Sequence, residues 1–178
     1  MVIGNSMIPN CASSTVQADL YHPQVPRSWR STKFKENKKM AYNKPIPVPQ
    51  GESDVYWQKA KEKELWLRYC NGCNEAYFYP TDFCRNPECA TPRDTKWVQA
   101  SGKATLFTYG IVQRAPHPGF VDDVPFVTAI VELEEGPKMA TNIVIDDPTP
   151  DNLTIGMDLE VVFEDINDEL ALPKFRPV

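Results

Sequence analysis

The sequence predicts a mainly β protein in which a small metal-binding ribbon precedes a closed barrel of about five strands. Three observations support this fold class. Four cysteines cluster within twenty residues, β-branched and aromatic residues are frequent after the last of them, and 17 prolines leave little room for long helices. The 178 residues, 42% of them hydrophobic, suffice for one ordinary domain and a small appendage.

Charge is distributed unevenly along the chain, whose formal net charge is −5. Residues 1–39 carry six basic and two acidic side chains, a net of +4. This leaves 13 basic and 22 acidic side chains, a net of −9, for residues 40–178. A region that repels phosphate this strongly is a poor general binder of nucleic acid. No apolar run in the sequence approaches the length of a membrane span.

We divide the chain into four regions: 1–39, 40–64, 65–94 and 95–178. The first shows no sustained apolar periodicity, and we expect it to be a disordered or upstream extension, with Met40 as the natural start. A mitochondrial or plastid presequence is the alternative, because the extension is basic and poor in acids. Its cysteine, Cys11, is predicted to be an unpaired bystander.

Residues 40–64 are predicted to form an extended segment followed by a short helix. The alternating prolines of 45–49 impose an extended path that could lie along the surface of a partner. Ser53 or Asp54 can cap a helix that reaches about residue 64. The side of this helix that is expected to face inward carries Tyr56, Trp57 and Ala60.

Two closely spaced cysteine pairs define the predicted ribbon. A strand over residues 65–69, with Arg68 facing away from Leu67 and Tyr69, leads into the first pair. Four soft thiolates within reach of one another are what a tetrahedral structural zinc requires. The predicted ligands are Cys70, Cys73, Cys84 and Cys89. Gly72 lies in the first knuckle, where we expect a positive φ.

Three other roles for the cysteines are open. Two disulfides could use the same four residues, but no signal peptide is apparent and the reducing cytoplasm, where we place the protein, would not keep such bonds. A catalytic metal is disfavoured, because four thiolates leave no coordination position for water or substrate. Four unrelated buried cysteines are the third possibility, which their clustering disfavours.

Short strands separated by glycine and proline turns fill the chain after the cysteines. We predict them at 104–113, 126–134, 138–145, 159–165 and 170–172, after a lead-in at 97–102. About five strands in about eighty residues indicate a small closed barrel such as an OB-fold. The glycines expected to curve it are Gly102, Gly110, Gly136 and Gly156. A β-sandwich is the alternative, but it usually needs about seven strands.

No catalytic constellation is recognisable in the sequence. His22 lies in the extension, and His117 lies between two prolines of a long loop, where we favour a loop-stiffening contact over proton transfer. Asp122 and Asp123 could form a carboxylate pair, although adjacent acids in a loop are more often solvated. We therefore predict that the chain is not catalytic by itself.

Many short motifs follow one another in a fixed order over residues 40–178. They are Lys-Pro-Ile-Pro-Val-Pro, a Tyr-Trp helix, the two cysteine pairs, Pro-His-Pro-Gly-Phe, Val-Pro-Phe-Val, Val-Glu-Leu-Glu-Glu-Gly-Pro, Thr-Asn, Ile-Gly-Met, Val-Val-Phe-Glu-Asp and Leu-Pro-Lys-Phe-Arg-Pro. Together they resemble the zinc-ribbon and OB-fold proteins that accompany thiolase-like enzymes of acyl-CoA metabolism. The spacing of Cys84 and Cys89 is wider than the second pair usual in that family.

The resemblance implies a rubredoxin-like zinc ribbon and an OB-fold, with one structural zinc, in a non-catalytic subunit of a thiolase-family complex. The partner, a thiolase of the lipid-transfer-protein type, would carry out thiolysis, acyl transfer, Claisen condensation or retro-aldol cleavage. We expect a heterotetramer or a larger assembly. Residues that could contact coenzyme A or the partner, with the partner favoured, are Arg114, His117, Phe120, Lys174 and Arg176.

A single-stranded nucleic-acid binder is the alternative function. Zinc ribbons and OB barrels can bind single strands through basic grooves and stacked aromatic rings, and Trp97, Phe107 and Tyr109 could form such a platform. These aromatics are more often part of a barrel core. Residues 95–114 carry few cations, which disfavours this alternative: Lys96, Lys103 and Arg114.

Overall fold

The computed structural model describes residues 42–178, so the predictions about the 1–39 extension, the start at Met40, Cys11 and His22 lie outside it. Besides three single-turn 3-10 helices, residues 42–178 contain one α-helix and eight strands. They are α1 (Asp54–Lys61), β1 (Trp66–Cys70), β2 (Glu75–Tyr77), β3 (Thr95–Gln99), β4 (Lys103–Val112), β5 (Phe126–Leu133), β6 (Lys138–Ile143), β7 (Asp158–Asp165) and β8 (Ala171–Pro177). No helix within residues 42–178 is long and apolar enough to cross a membrane.

The helix α1 is shorter than predicted. It ends at Lys61, and Lys63 then adopts a left-handed conformation with φ of 67°, which no helix can continue through. Ser53 precedes the helix, but its hydroxyl accepts from the Gln50 N–H and donates to the Gln50 carbonyl, so it closes a preceding 3-10 turn instead of capping α1. Tyr56 and Ala60 are buried, as the sequence pattern predicted.

A three-stranded antiparallel sheet with the order β2-β1-β3 forms the ribbon. Its third strand, β3, falls in the region that we assigned to the barrel, yet it pairs with β1 from Trp66↔Gln99 to Cys70↔Thr95. The hydrogen bond from the Ala100 N–H to the Leu65 carbonyl extends this pairing by one step. The ribbon therefore consists of two segments of chain that flank the cysteine loop. The boundary that we placed between the ribbon and the barrel region, after residue 94, stays a prediction.

The remaining strands close into a barrel with the order β4-β5-β6-β8-β7, which returns to β4. This five-stranded closure confirms the predicted mainly β fold with an OB-type barrel. The largest side chains that the barrel buries completely are Leu106, Val127, Val131, Leu159 and Phe175. A β-bulge between Leu106 and Thr108 leaves Phe107 pointing outward, and this bulge contributes to the curvature that we ascribed to glycines alone.

The last strand, β8, is longer than the predicted 170–172, because it includes two prolines. Pro173 pairs with Phe163 and Pro177 pairs with Leu159 in the antiparallel register with β7. The Phe175 carbonyl accepts from the Val144 N–H on the β6 side. Because backbone groups alternate along a strand, Pro173 and Pro177, two residues before and after Phe175, also direct their backbone groups away from β7. The missing proline N–H groups therefore leave the β7–β8 ladder intact.

Candidate metal centre and partner-facing loop

The four cysteines of the ribbon meet at one point. Their sulfur atoms all lie within 4.8 Å of one another. Cys70 Sγ is 3.6 Å from Cys89 Sγ, and Cys73 Sγ is 3.7 Å from Cys84 Sγ. Sulfur ligands at about 2.3 Å from a tetrahedral zinc are separated by about 3.8 Å, so the donor set and its dimensions fit that ion. All four cysteines are free of disulfides.

Hydrogen bonds from backbone groups and neighbouring thiols shift the pKa values of Cys70 and Cys73 in opposite directions. The N–H of Cys73 lowers the pKa of Cys70 to about 7, whereas hydrogen bonding with Cys89 raises the pKa of Cys73 to about 12. Asn86 donates from its side chain to Cys73 Sγ over 3.6 Å. Without a cation, close thiols oppose one another's ionisation, and a bound metal ion would remove this opposition by stabilising all the thiolates.

The first cysteine knuckle differs from its prediction in where the unusual backbone lies. Gly72 does not have a positive φ, and the left-handed residue is Asn74, with φ of 56°. Gly72 is needed for space, because a Cβ at this position would collide with the Thr91 hydroxyl and come within 3.4 Å of Cys89 Sγ. The loop that carries the second cysteine pair thus packs directly against the first knuckle.

Arg68 holds the cysteine loop against the ribbon sheet. Its side chain is buried, contrary to the predicted outward face, because the loop folds over it. Arg68 donates to the Thr81 carbonyl over 3.1 Å and to the Thr95 hydroxyl over 2.5 Å, and it forms an ion pair with Asp82 at 3.1 Å. Its guanidinium carbon also lies 5.1 Å from the centre of the Trp97 ring. The alternation of residues along the predicted strand did not indicate that Arg68 would be buried under the cysteine loop.

The loop between β4 and β5 is shaped by local contacts. His117 Nδ1 accepts a hydrogen bond of 3.1 Å from the Gly119 N–H, the stiffening contact that the sequence favoured. Phe120 stacks on Phe126 with ring centres 5.6 Å apart. Lys44 lies 5.3 Å from the centre of the Phe120 ring and pairs with Asp123, which, against the opposing effect of burial, raises the pKa of Lys44.

The extended segment near residue 43 crosses this loop closely. A Cβ on Gly119 would lie 2.5 Å from the Asn43 carbonyl oxygen, so a glycine is required for the segment to pass. Of the five residues that we associated with coenzyme A or the partner, Lys174 and Arg176 form ion pairs with Glu164 and Glu160. Arg114 is exposed and has no ion-pair partner among residues 42–178.

The aromatic residues considered for nucleic-acid stacking do not form one platform. Trp97 belongs to the ribbon strand β3 and lies beneath Arg68, and Tyr109 belongs to the barrel strand β4. Both pack against the hydrophobic cluster. Phe107 is exposed at the bulge, with the Lys138 amine 4.2 Å from its ring centre. Neither the structure nor the similarities described next support the nucleic-acid alternative.

Two sequence models of protein domains match most of the described chain. Residues 57–93 match the rubredoxin-like zinc ribbon domain of ChsH2, and residues 97–164 match the C-terminal OB-fold domain of ChsH2. The matched ranges cover the cysteine centre and most of the barrel. The fold and the site thus define a zinc-ribbon and OB-fold protein.

Relatives define the family more closely. The chain is 34% identical to a DUF35 domain-containing scaffold protein of Methanocaldococcus jannaschii, over 64% of this chain and 77% of that protein. It is 31% identical to a probable enoyl-CoA hydratase alpha subunit of Thermomonospora curvata, over 84% of this chain and 46% of that protein. The chain thus spans about half the length of the hydratase subunit. It belongs to the DUF35 family, which includes the corresponding part of ChsH2.

A solved structure shows the same architecture. A chain of the structure described as Ltp2-ChsH2(DUF35) aldolase superposes with a TM-score of 0.63 at 32% identity, over 74% of this chain and 98% of that chain. The ribbon and the barrel therefore recur together in a relative that was solved with another protein. This confirms the resemblance to proteins that accompany thiolase-like enzymes.

Proposed function

We propose that the protein is a non-catalytic, zinc-binding subunit of a thiolase-family complex that acts on acyl-CoA thioesters. The observation that carries the proposal is the likeness, at 32% identity over 98% of that chain, to the DUF35 chain of an Ltp2-ChsH2 aldolase. The names of two other relatives, a scaffold protein and a hydratase subunit, agree with a role inside a larger enzyme. The partner would be a thiolase-like subunit, in a heterotetramer or a larger cytoplasmic assembly.

The side chains of residues 42–178 support leaving the chemistry to the partner. His117 is the single histidine in this range, and its Nδ1 is engaged by the Gly119 N–H. The four cysteines in the range are gathered at one centre, so none stands beside a general base as a nucleophile would. Thiolysis, acyl transfer, Claisen condensation or retro-aldol cleavage would therefore use catalytic groups of the partner.

The cysteine centre is proposed to hold one structural zinc per chain, with Cys70, Cys73, Cys84 and Cys89 as its ligands. Four thiolates complete a tetrahedron, so water and substrate have no coordination position and the ion would serve folding. The apolar side chains that the ribbon strands bury are few, namely Leu67 and Tyr77 besides the ligand Cys70. This supports the role, because such a segment needs an additional source of stability.

The loop between β4 and β5 is proposed to face the partner. Arg114, which has no ion-pair partner among residues 42–178, could pair with an anionic group, while the ring of Phe120 and the His117 turn give the loop a fixed shape. Lys174 and Arg176 stay candidates for contact with coenzyme A or the partner. Their ion pairs with glutamates favour a protein contact, because phosphates would have to displace these carboxylates.

The test is purification of the full chain from its native lysate, followed by native mass spectrometry, a zinc assay and thioester assays. We expect a thiolase-like protein to be recovered together with one zinc per chain. Thioester activity of the complex should be lost when this chain is removed and restored when it is returned. Recovery of the chain with nucleic acid and without a thiolase would contradict the proposal.

A further inference from the structure

A groove runs between the ribbon, the helix and the β6–β8 seam of the barrel, which one residue pair closes. Its volume is about 390 Å³. One wall consists of α1 and the segment Phe78–Pro80 that follows β2, and the opposite wall consists of β6 and the beginning of β8. The groove is large enough to receive more than one apolar side chain, and it lies apart from the cysteine centre.

A ladder of aromatic rings forms the first wall. Trp57 contacts Tyr56 at 5.1 Å between ring centres, Tyr56 contacts Phe78 at 5.7 Å, and Phe78 contacts Tyr79 at 4.4 Å. Tyr56 is buried, whereas Tyr79 is 55% exposed at the rim. Because Tyr79 is held by its neighbours, a partner could cover it at a small cost in conformational entropy, as is typical of residues that dominate binding energy.

The opposite wall is the sparsely paired seam between β6 and β8. Strands β6 and β8 pair at Ile143↔Phe175, and beyond this pair a hydrogen bond of 3.2 Å from the Thr141 hydroxyl to the Pro173 carbonyl links them. The Val144 N–H donates towards β8, so by alternation the backbone groups of Ala140 also face the seam. No pairing with β8 is found for Ala140 within the described barrel, which leaves main-chain groups for a partner.

Charge at the groove favours an acidic neighbour. Among residues 42–178, no carboxylate lines it, and its one charged lining residue, Lys174, is paired with Glu164. Residues 40–178 as a whole carry a net charge of −9. Arg85 lies over the Tyr79 ring at 5.8 Å and donates to the Phe78 carbonyl over 3.3 Å. Among residues 42–178 Arg85 has no carboxylate within ion-pair distance, so its charge is available to a partner.

We propose that this groove receives an apolar side chain of the thiolase-like partner subunit, packed on Tyr79, and that Arg85 pairs with a carboxylate beside it. This assignment rests on the proposed function and adds a surface that the sequence did not indicate. An apolar anchor in a pocket with a charged pair at its rim is the arrangement that gives protein interfaces both affinity and orientation.

The experiment measures the affinity of the purified partner for the full chain by titration calorimetry. Tyr79→Ala and Arg85→Glu should each weaken binding at least about tenfold, and the effect of Arg85→Glu should shrink at high salt. Phe107→Ala and Lys103→Glu are the matched controls, because Phe107 is 46% exposed and Lys103 is exposed on β4, outside the groove. Both controls should bind as the wild type does, and zinc content should be equal in all variants.

The outcomes separate this inference from the function on which it rests. Unchanged affinity in both groove variants would overturn the groove assignment and leave the thiolase-like partner in place. A wild-type chain that forms no complex would remove both proposals. Binding of acetyl-CoA to the free chain, or self-association of the chain, that is lost in Tyr79→Ala while partner affinity is retained would assign the groove to another occupant and overturn the inference.

Discussion

The ribbon and the barrel are adjacent β structures that derive their order from different sources. In the barrel, the fully buried side chains are apolar, and they come from all parts of the sheet, as Leu106, Val131 and Phe175 show. The buried side chains of the ribbon strands include Arg68 and Cys70 beside Leu67 and Tyr77. Leu67 of the ribbon lies in the same hydrophobic cluster as the barrel core. The ribbon therefore depends on polar ties and on ligands that converge on a metal in addition to apolar burial, whereas the barrel depends on removing apolar surface from water.

This difference explains which substitutions each region should tolerate. A barrel side chain can be replaced by another of similar volume at a modest cost, because packing is not specific to one atom. A ribbon ligand cannot be replaced in this way, because a single sulfur atom is one of four that the ion requires. The predictions below test the comparison in order of decreasing effect.

Loss of a cysteine ligand should have the largest effect. Cys84→Ser and Cys89→Ser each remove one of the four converging sulfur atoms, and we expect zinc to fall from one per chain to none after dialysis. Cys11→Ser is the matched control and should keep full zinc, since Cys11 is predicted to be a bystander. Inductively coupled plasma mass spectrometry measures both, and full zinc in Cys89→Ser would show that the fourth ligand is another residue.

Truncation of a barrel side chain should destabilise the barrel without removing zinc. Leu106 is fully buried, and Leu106→Ala should lower the free energy of unfolding by about 2–5 kcal/mol, through lost burial and a residual cavity. Ile155→Ala, at an exposed apolar side chain, should change it by less than about 0.5 kcal/mol. Urea unfolding followed by circular dichroism distinguishes them, and equal effects would argue against a packed barrel core.

Arg68→Met keeps much of the side-chain volume but removes the donors that hold the cysteine loop. We expect a loss of about 1–3 kcal/mol in ribbon stability, because the Thr81 carbonyl and Thr95 hydroxyl lose a charged partner. Zinc should then be released at a lower concentration of a competing chelator. Unchanged zinc release would show that the loop is held by the metal alone.

A methyl group at Gly72 should disturb the ribbon mainly through one severe contact, with the Thr91 hydroxyl. Gly72→Ala places a Cβ against the Thr91 hydroxyl, and we expect a cost of about 1 kcal/mol, because a surface side chain can shift partly away. Thr91→Ala should restore zinc retention in the double variant. If the second substitution brings no recovery, backbone conformation and not crowding would be the reason for this glycine.

The smallest effect is expected from the ion pairs that join Lys61, at the end of α1, and Lys63, just beyond it, to β7. Hydrogen bonds from Lys63 and Lys61 lower the pKa of Asp165 to about 2 from its usual 3.8. A carboxylate whose pKa is depressed by folding stabilises the fold at pH values above its pKa in the unfolded chain. It loses this contribution as the pH falls from about 4 to 2. The difference in stability between wild type and Asp165→Asn should therefore vanish over that interval, whereas a constant difference would assign it to packing.

Much of the barrel could be predicted, because its physical cause is local. Alternating apolar residues and turn glycines located β4 to β7 within a few residues. The extent of β8 could not be predicted, because Pro173 is compatible with a strand only if its nitrogen faces away from the β7 ladder, and strand order is a property of the whole barrel.

The ligands of the metal centre could be predicted from the sequence, but the contacts that hold the cysteine loop in place could not. Cysteine spacing identified the four sulfur atoms that converge. The burial of Arg68 and the contact of Gly72 with Thr91 could not be predicted, because both arise where the cysteine loop folds back on the sheet. The groove beside Tyr79 was missed for the same reason, since its walls come from segments that are distant in the sequence.

Hydrogen exchange of the full chain, with and without a zinc chelator, tests the central comparison most directly. We predict that chelation removes protection from the ribbon strands, residues 66–99, while β4 to β8 keep their slowly exchanging amides because most members of the hydrophobic cluster lie on the barrel strands. Equal loss of protection in both regions would contradict the account, because it would show that the barrel also depends on the metal.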